Sequence, residues 1–425
     1  MAQPLVRLGC CDQNRIPDDL DSYLSQYHEY SMSKTKFRGE KNSQWYSLKS
    51  IEGNAIESLQ ESLCEFGFYP EYAIDGIFGY RTESAVRLFQ EYIRFTDNEP
   101  TMNPPDGIVG SNTWKQIDQW KADNRSADWL AYSVDNPSDE FDYWHRIIEE
   151  VRTFENNIDL YDYFYRSDDV DIPSDTLKSD EWNFDRDTIH IIGIRRREWV
   201  GTGYHGNNDL FILLVNGMVF KFYGSTDPTK NMSKYPNKMP FLIRGQHVYR
   251  FGWHKFGNSI KCYRALKPHQ YGPLVLRDIT QDGVLTEEDS WGEVKANEAI
   301  NIHWSGSGRA NWSAGCQVIA GKGYINHNGD YIDCSNFASR DYTNLGRKFT
   351  KAAYNVFTDL ITVFTNNIKC NGDRIYYTLL FERDIESGEE TLRDYILSQL
   401  GLTLELSDIV TIETVLAQLG IVDEE

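Results

Sequence analysis

Two short stretches of this chain repeat one another. Asp75-Gly76-Ile77-Phe78-Gly79-Tyr80-Arg81-Thr82 is echoed by Asp106-Gly107-Ile108-Val109-Gly110-Ser111-Asn112-Thr113-Trp114. Asp-Gly makes a tight turn, and the second Gly permits a sharp entry into the next helix. Thr82 or Asn112 then stands near a helix start as a cap. Apolar residues at helical spacing precede the first turn (Ile56, Leu59, Leu63, Phe66) and separate the two turns (Ala85, Val86, Phe89, Ile93). The pattern predicts a compact three-helix unit with two similar loops.

The rest of the chain is read against its composition. An apolar fraction of 40% and an aromatic fraction of 14% over 425 residues are ample for two or three packed domains. A net charge of −21 excludes a nucleic-acid surface and a polybasic membrane contact, both of which need concentrated Lys and Arg. No apolar run is long enough for a transmembrane helix. The start, MAQPLVRLGCCDQNRIPDDL, lacks the basic-then-apolar pattern of a classical signal peptide. The seven cysteines match neither a disulfide framework nor a zinc site, because no CxxC pair is present.

Five segments are expected. Residues 1–45 are a loosely structured lead-in and 46–122 the repeat-bearing module. Residues 123–185 form an acidic, partly helical connector; 131–180 carry 14 Asp and Glu against 4 Lys and Arg. From 186 to 385 the texture is β. Asn216-Gly217 between two apolar runs signals a hairpin, and further strands are expected at 188–195, 247–253, 262–267, 273–277, 300–304, 316–320 and 375–382. One helix should fill 345–366. The tail, 386–425, has 10 acidic residues and one Arg, and its spacing suggests two short amphipathic helices. The stretch 278–289 only partly fits a calcium loop and reads as an ordinary acidic loop.

The pattern LQxxLxxxGF, DGxFGxxTxxAVxxFQ, DGxVGxxTW resembles the three-helix peptidoglycan-binding domain found on many cell-wall hydrolases. The resemblance covers about 65 residues and implies peptidoglycan contacts at Asp75, Phe78, Thr82, Asp106 and Trp114. The loop FTDNEPTMNPP (95–105) is an enlargement of that pattern.

A second informative segment is Ile300-Asn301-Ile302-His303-Trp304-Ser305-Gly306, followed by Trp312-Ser313-Ala314-Gly315-Cys316-Gln317-Val318-Ile319. A His ends one expected strand and a Cys begins the next, after a Gly/Ser-rich loop. That order brings an imidazole within reach of a thiol whose proton it can accept, and the thiolate is the nucleophile. Ala314 and Gly315 are small enough to let backbone N–H groups turn toward a developing oxyanion.

This segment resembles the signature of the L,D-transpeptidase (YkuD-like) family: a His on a strand, then S/T-x-G-C. The resemblance implies Cys316 as nucleophile, His303 as general base, the Trp304 or Ser305 carbonyl as orienter, and Ser313, Gly315 and the Cys316 N–H as shapers of the oxyanion hole. It places 241–254 along the substrate groove, with His247, Arg250 or His254 pairing with a carboxylate. The family often has a second His where this chain has Ala314. It usually has Arg or Asn where this chain has Val318, and Gln317 substitutes in part.

The chain is thus expected to be α+β and multidomain: a three-helix peptidoglycan-binding module, a mainly β catalytic domain and a short helical tail. Its expected function is cysteine-dependent action on L,D peptide bonds of stem peptides, without metal or cofactor. A non-catalytic wall-binding adaptor and a thiol peptidase unrelated to the wall are the alternatives. Peptidoglycan lies outside the cytoplasmic membrane. The missing signal peptide therefore suggests delivery by a dedicated secretion machine, as an antibacterial toxin with an immunity protein as partner.

Overall fold

The computed structural model describes residues 3–15, 49–155, 171–196, 206–229, 239–255, 263–283, 285–306, 311–337, 340–341, 349–365, 374–382, 385 and 392–401. The chain divides into two units. One comprises Met1–Ala131, Gly252–Arg264 and Asp333–Asp373, the other Tyr132–Phe251, Ala265–Ile332 and Arg374–Glu425.

The first unit is built on the repeat. Helices α1 (Ala55–Glu65), α2 (Tyr80–Thr96) and α3 (Ser111–Ala122) follow the apolar spacing. Gly67, at φ +91°, ends α1. Its N–H and that of Phe68 return to the Cys64 and Leu63 carbonyls, which satisfies the last turn and drives Phe68 inward. Phe66, Phe68, Phe89 and Trp120 then form the aromatic core, with ring centroids 5.2–6.2 Å apart.

The two Asp-Gly loops share a hidden device. Gln60 is fully buried, and its amide nitrogen reaches Asp75 Oδ1, the Ile77 carbonyl and Thr82 Oγ1 while its oxygen accepts from the Asp75 and Gly76 N–H groups. Gln90 repeats the arrangement with Asp106, Ile108, Thr113 and Gly107. A polar side chain on each helix thus accepts from and donates to the backbone of an Asp-Gly turn.

Two departures from the sequence reading concern this unit. Part of the lead-in is structural: Cys10–Asp12 pairs in parallel with Lys49–Ile51, and Val6 bridges to Val109. Asp12 gives its carboxylate to the Ile56 and Glu57 N–H groups. Asn54 makes no side-chain cap of α1, so Asp12 supplies from a distance the acceptor that a helix start requires. The module is also covered. The helix expected at 345–366 runs Ala353–Phe364, after a short strand at Phe349–Thr350, and it packs on α2. Asp359 is fully buried and takes Ser84 Oγ at 2.8 Å and Arg87 Nε at 3.0 Å. Arg81 donates to the Thr362 and Thr365 carbonyls, at the helix end where a cation is favoured.

Eight strands, most of their residues in the second unit, close into a ring among the described residues. They are β1 (His190–Arg195), β2 (Asp209–Val215), β3 (Met218–Ser225), β4 (Gly245–His254), β5 (Tyr263–Pro268), β6 (Ile302–Trp304), β7 (Gln317–Ile325) and β8 (Ile375–Phe381). The order is β6-β5-β4-β8-β1-β2-β3-β7, and β7 pairs again with β6. Closure removes the exposed edges of the sheet along these strands. Asn216 (φ 49°) and Gly217 (φ 77°) make the β2–β3 turn with Val215 opposite Met218, as the hairpin signal requires.

The segment expected as a connector supplies core instead. Helix α4 (Asp139–Glu155) buries Phe141, Trp144, Ile147, Ile148 and Val151 against Ile192, Ile194, Leu210 and Ile212. On the same helix, Glu140 pairs with the buried Lys221 at 2.7 Å. A three-stranded sheet of Pro240–Leu242, Leu274–Arg277 and Lys295–Ala296 has a small core of its own. In the acidic loop, Asp278 and Asp289 spend their carboxylates on the N–H groups of Ile279, Gln281, Gly283 and Thr286, the pattern of a self-bonded turn. In the tail a helix forms at Leu392–Leu400; the second expected helix, around 412–419, lies outside the described residues.

Asp359→Ala should destabilise the first unit by about 3–5 kcal/mol, because it removes the buried carboxylate that Arg87 Nε and Ser84 Oγ donate to. Urea unfolding of the full chain followed by tryptophan fluorescence checks this. A loss below about 1 kcal/mol would mean that the pair is not sealed from solvent.

Candidate active site

The closing seam of the barrel is where the chemistry gathers. Strands β6 and β7 run parallel, with Ile302 opposite Gln317, His303 opposite Val318 and Trp304 opposite Ile319. Side chains alternate along a strand. Ile302 and Gln317 are fully buried; His303 and Cys316 fall on the other face. A ring nitrogen of His303 and the Cys316 sulfur lie within 4.8 Å of each other.

His303 Nδ1 stands 2.8 Å from the Trp304 carbonyl oxygen. A carbonyl only accepts, so Nδ1 carries a proton, and Nε2 is the nitrogen with which a neutral ring would accept another. Of the two carbonyls that the resemblance offered as orienter, the geometry uses that of Trp304. The Cys316 thiol donates to the Ala299 carbonyl at 3.2 Å. Imidazole and thiolate are also soft metal ligands, so this pair could hold a thiophilic ion such as zinc in competition with the proton.

The loop before Cys316 is anchored from within. Asn311 Nδ2 donates to Ser225 Oγ and to the Asp227 carbonyl, and its Oδ1 accepts from Ser313 N–H at 2.7 Å. Ser313 Oγ donates to the Cys316 carbonyl and accepts from Gly315 N–H. Gly315 sits at φ +147°, and a Cβ there would lie 2.2 Å from Pro240 Cγ, so no other residue fits. Ser313 and Gly315 therefore hold the loop's shape in the resting site. Asn311 was not anticipated; an Asn two residues before a Ser is a turn-forming signal that could have marked it.

The substrate-binding expectations separate into two groups. His247 is fully buried, held by Thr176 Oγ1 on Nδ1 and the Ile243 carbonyl on Nε2. Burial pushes its pKa down to about 3, so it is a neutral core residue and not a cation for substrate. Gln317 is likewise interior: it donates to the Thr226 carbonyl and accepts from Tyr377 OH. The same Thr226 binds Arg195, which pairs with Asp227 at 2.9 Å. This correction has one cause: period-two alternation sends both residues into the barrel. Arg250 is half-buried on the face of His303, donating to the His269 and Phe251 carbonyls. His254 ends β4, buried with its ring 5.1 Å from Tyr263.

In the helical unit, the repeat geometry is matched by comparison with known proteins. Residues 52–98 match the family model for a peptidoglycan binding domain. These residues are a peptidoglycan-binding domain. Within it and the second loop, Phe78, Thr82 and Trp114 are interior. Trp114 donates to the Pro4 carbonyl. Asp75 and Asp106 brace their turns through the Ile77 and Ile108 N–H groups. Phe78, Thr82 and Trp114 thus shape the module from inside rather than offering a face to a glycan.

No curated protein matches the chain. Among solved structures it is similar to a fused Zn-dependent amidase/peptidase/peptidoglycan-binding domain-containing protein from Clostridium acetobutylicum. Identity is 15%, and the match covers 63% of this chain and 87% of that one. The TM-score is 0.20, at which the two do not superpose as whole folds. No helix among the described residues is long and apolar enough to cross a membrane.

Two outcomes follow from this geometry. His303→Ala should slow alkylation of Cys316 by iodoacetamide at neutral pH by about tenfold or more, since the base that forms the thiolate is gone; mass spectrometry of the modified peptide reads it, and an unchanged rate would break the dyad. The second concerns His247 and His190, whose burial lowers their pKa values to about 3 and about 4. The unfolded chain protonates first, near pH 6.5. Their contribution to stability is therefore full above pH 6.5 and drains away as pH falls toward the folded values. Melting temperature measured against pH should fall more gently between 6.5 and 4 in His247→Asn than in the native chain.

Proposed function

We propose that this protein is a peptidoglycan-acting cysteine enzyme that cleaves L,D peptide bonds of stem peptides through a thioester on Cys316. The observation that carries the reading is the His303 ring, fixed by the Trp304 carbonyl with Nε2 as base, beside the Cys316 thiol in a chain that holds a peptidoglycan-binding domain.

The thiol proton passes to His303 Nε2 and the sulfur attacks the peptide carbonyl. The C–N bond breaks, and the leaving amine takes the proton back from the imidazolium. An amine then resolves the thioester as an L,D-transpeptidase, or water as an L,D-carboxypeptidase. The binding domain raises the local concentration of wall substrate by tethering. The domain supports a cell-wall or periplasmic place of action. A secreted antibacterial role, with an immunity protein as partner, extends the same reading.

A second reading, a wall-binding adaptor with an inactive β domain, is motivated by Ala314 and by Val318, which is fully buried opposite His303. Muropeptides incubated with the native protein and with Cys316→Ala decide between them. New products with the native protein alone support the enzyme. Identical products, together with no carbapenem adduct on Cys316, support the adaptor.

A further inference from the structure

Both flanks of Cys316 hang from one short stretch, residues 225–229. On the side before it, Asn311 Nδ2 donates to Ser225 Oγ and to the Asp227 carbonyl, and the Ser313 carbonyl accepts from Thr229 N–H at 2.6 Å. On the side after it, Gln317 Nε2 donates to the Thr226 carbonyl at 3.1 Å, and Val318 pairs with Ser225. Of this stretch only Ser225 belongs to a strand, the last residue of β3. Backbone pairing in the sheet therefore does not fix the rest of it.

A carboxylate on the neighbouring strand does. Asp209 opens β2 opposite Gly224 and is buried. Its Oδ2 accepts from Thr226 N–H at 2.6 Å and from Thr226 Oγ1 at 2.7 Å, while its Oδ1 accepts from Arg196 N–H at 3.0 Å. Arg195 closes the other side. It gives Nε to Thr226 Oγ1 and Nη2 to the Thr226 carbonyl, the same oxygen that receives Gln317. The N–H, hydroxyl and carbonyl of Thr226 are thus all engaged, and the residue has one place in which to sit.

This device burdens the fold. Burial first, and Asp227 second, hold the Asp209 carboxyl above the usual carboxylate range. A folded pKa above the unfolded one means that the fold is less stable with Asp209 ionised than with it protonated. The loss sets in as pH rises past the unfolded value, about 4, and is complete above the folded one. Stability does not account for a carboxylate at this position; the geometry it imposes on Thr226 does.

We propose that Asp209 is a positioning residue for the nucleophile: through Thr226 it fixes the 225–229 stretch, which holds the Cys316 thiol at the His303 ring from both sides. The inference rests on the reading of Cys316 as nucleophile and His303 as its base, and Asp209 acts on them only through the chain it holds.

The test is the rate at which iodoacetamide alkylates Cys316 in the full-length chain at neutral pH, read by mass spectrometry of the modified peptide, with melting curves to show that each variant is folded at the assay temperature. Asp209→Ala removes both bonds to Thr226 and should slow alkylation about fivefold or more. Thr226→Val removes only the hydroxyl that Asp209 holds and should slow it in the same direction, so it carries the test if Asp209→Ala does not fold. Thr226→Ser restores the hydroxyl and should stay within about twofold of the parent. Each variant is repeated with His303→Ala. A misplaced thiol loses rate because it loses its base, so in that background the substitutions should cost nothing further. Parent rates in Asp209→Ala and Thr226→Val overturn the positioning role. So does equal slowing with and without His303, or a loss in Thr226→Ser as large as in Thr226→Val. Alkylation needs no peptide substrate: muropeptides left unchanged by the native protein, with the expected rates, would fail the peptide-bond reading and leave the positioning standing.

Discussion

The parallel pairing of β6 with β7 is the contact on which the second unit depends. Every other neighbour in the ring could persist in an open sheet; this one closes it. Three residue pairs do the work, and they belong to strands separated by the loop that ends in Ser313-Ala314-Gly315-Cys316. The same closure places an imidazole and a thiol side by side, because the residue before Gln317 and the residue after Ile302 both point outward. Fold and candidate chemistry thus share one seam. Its polar lining inside the barrel, from Gln317 through Thr226 to Arg195, ties the start of β7 to β1 and to the start of the loop after β3.

The helical unit solves a different problem by similar means. Short Asp-Gly turns expose backbone groups that cannot be left unpaired inside a core. Gln60 and Gln90 answer this twice over with the same bonds. The glutamines occupy equivalent places in the repeat, so their role belongs to the interior of the module. Asp12 and Asp359 carry the same logic further, each bringing a carboxylate from distant sequence to a helix.

Much of this was legible in the residues. Apolar spacing placed α1 and α2, Asn216-Gly217 placed the hairpin, and the strand runs fell where alternation and β-branched residues put them. Local rules sufficed because each depends on neighbours within a few positions. The acidic composition of 131–180 misled, since the charges on α4 say nothing of its buried Phe141 and Trp144. Residues 353–364 read as a helix, but nothing in their own sequence says that α2 is what they cover.

Sequence by itself determined the repeat, the identity of its binding module, the strand and helix segments, and the His and Cys that could meet. Only the tertiary structure decided that they do meet, that the Trp304 carbonyl holds the His303 ring, and that His247 and Gln317 belong to the core. The reason is physical. Residue type and spacing describe one strand at a time, whereas which face looks inward, and which strand lies opposite, is settled by the closure of the whole sheet.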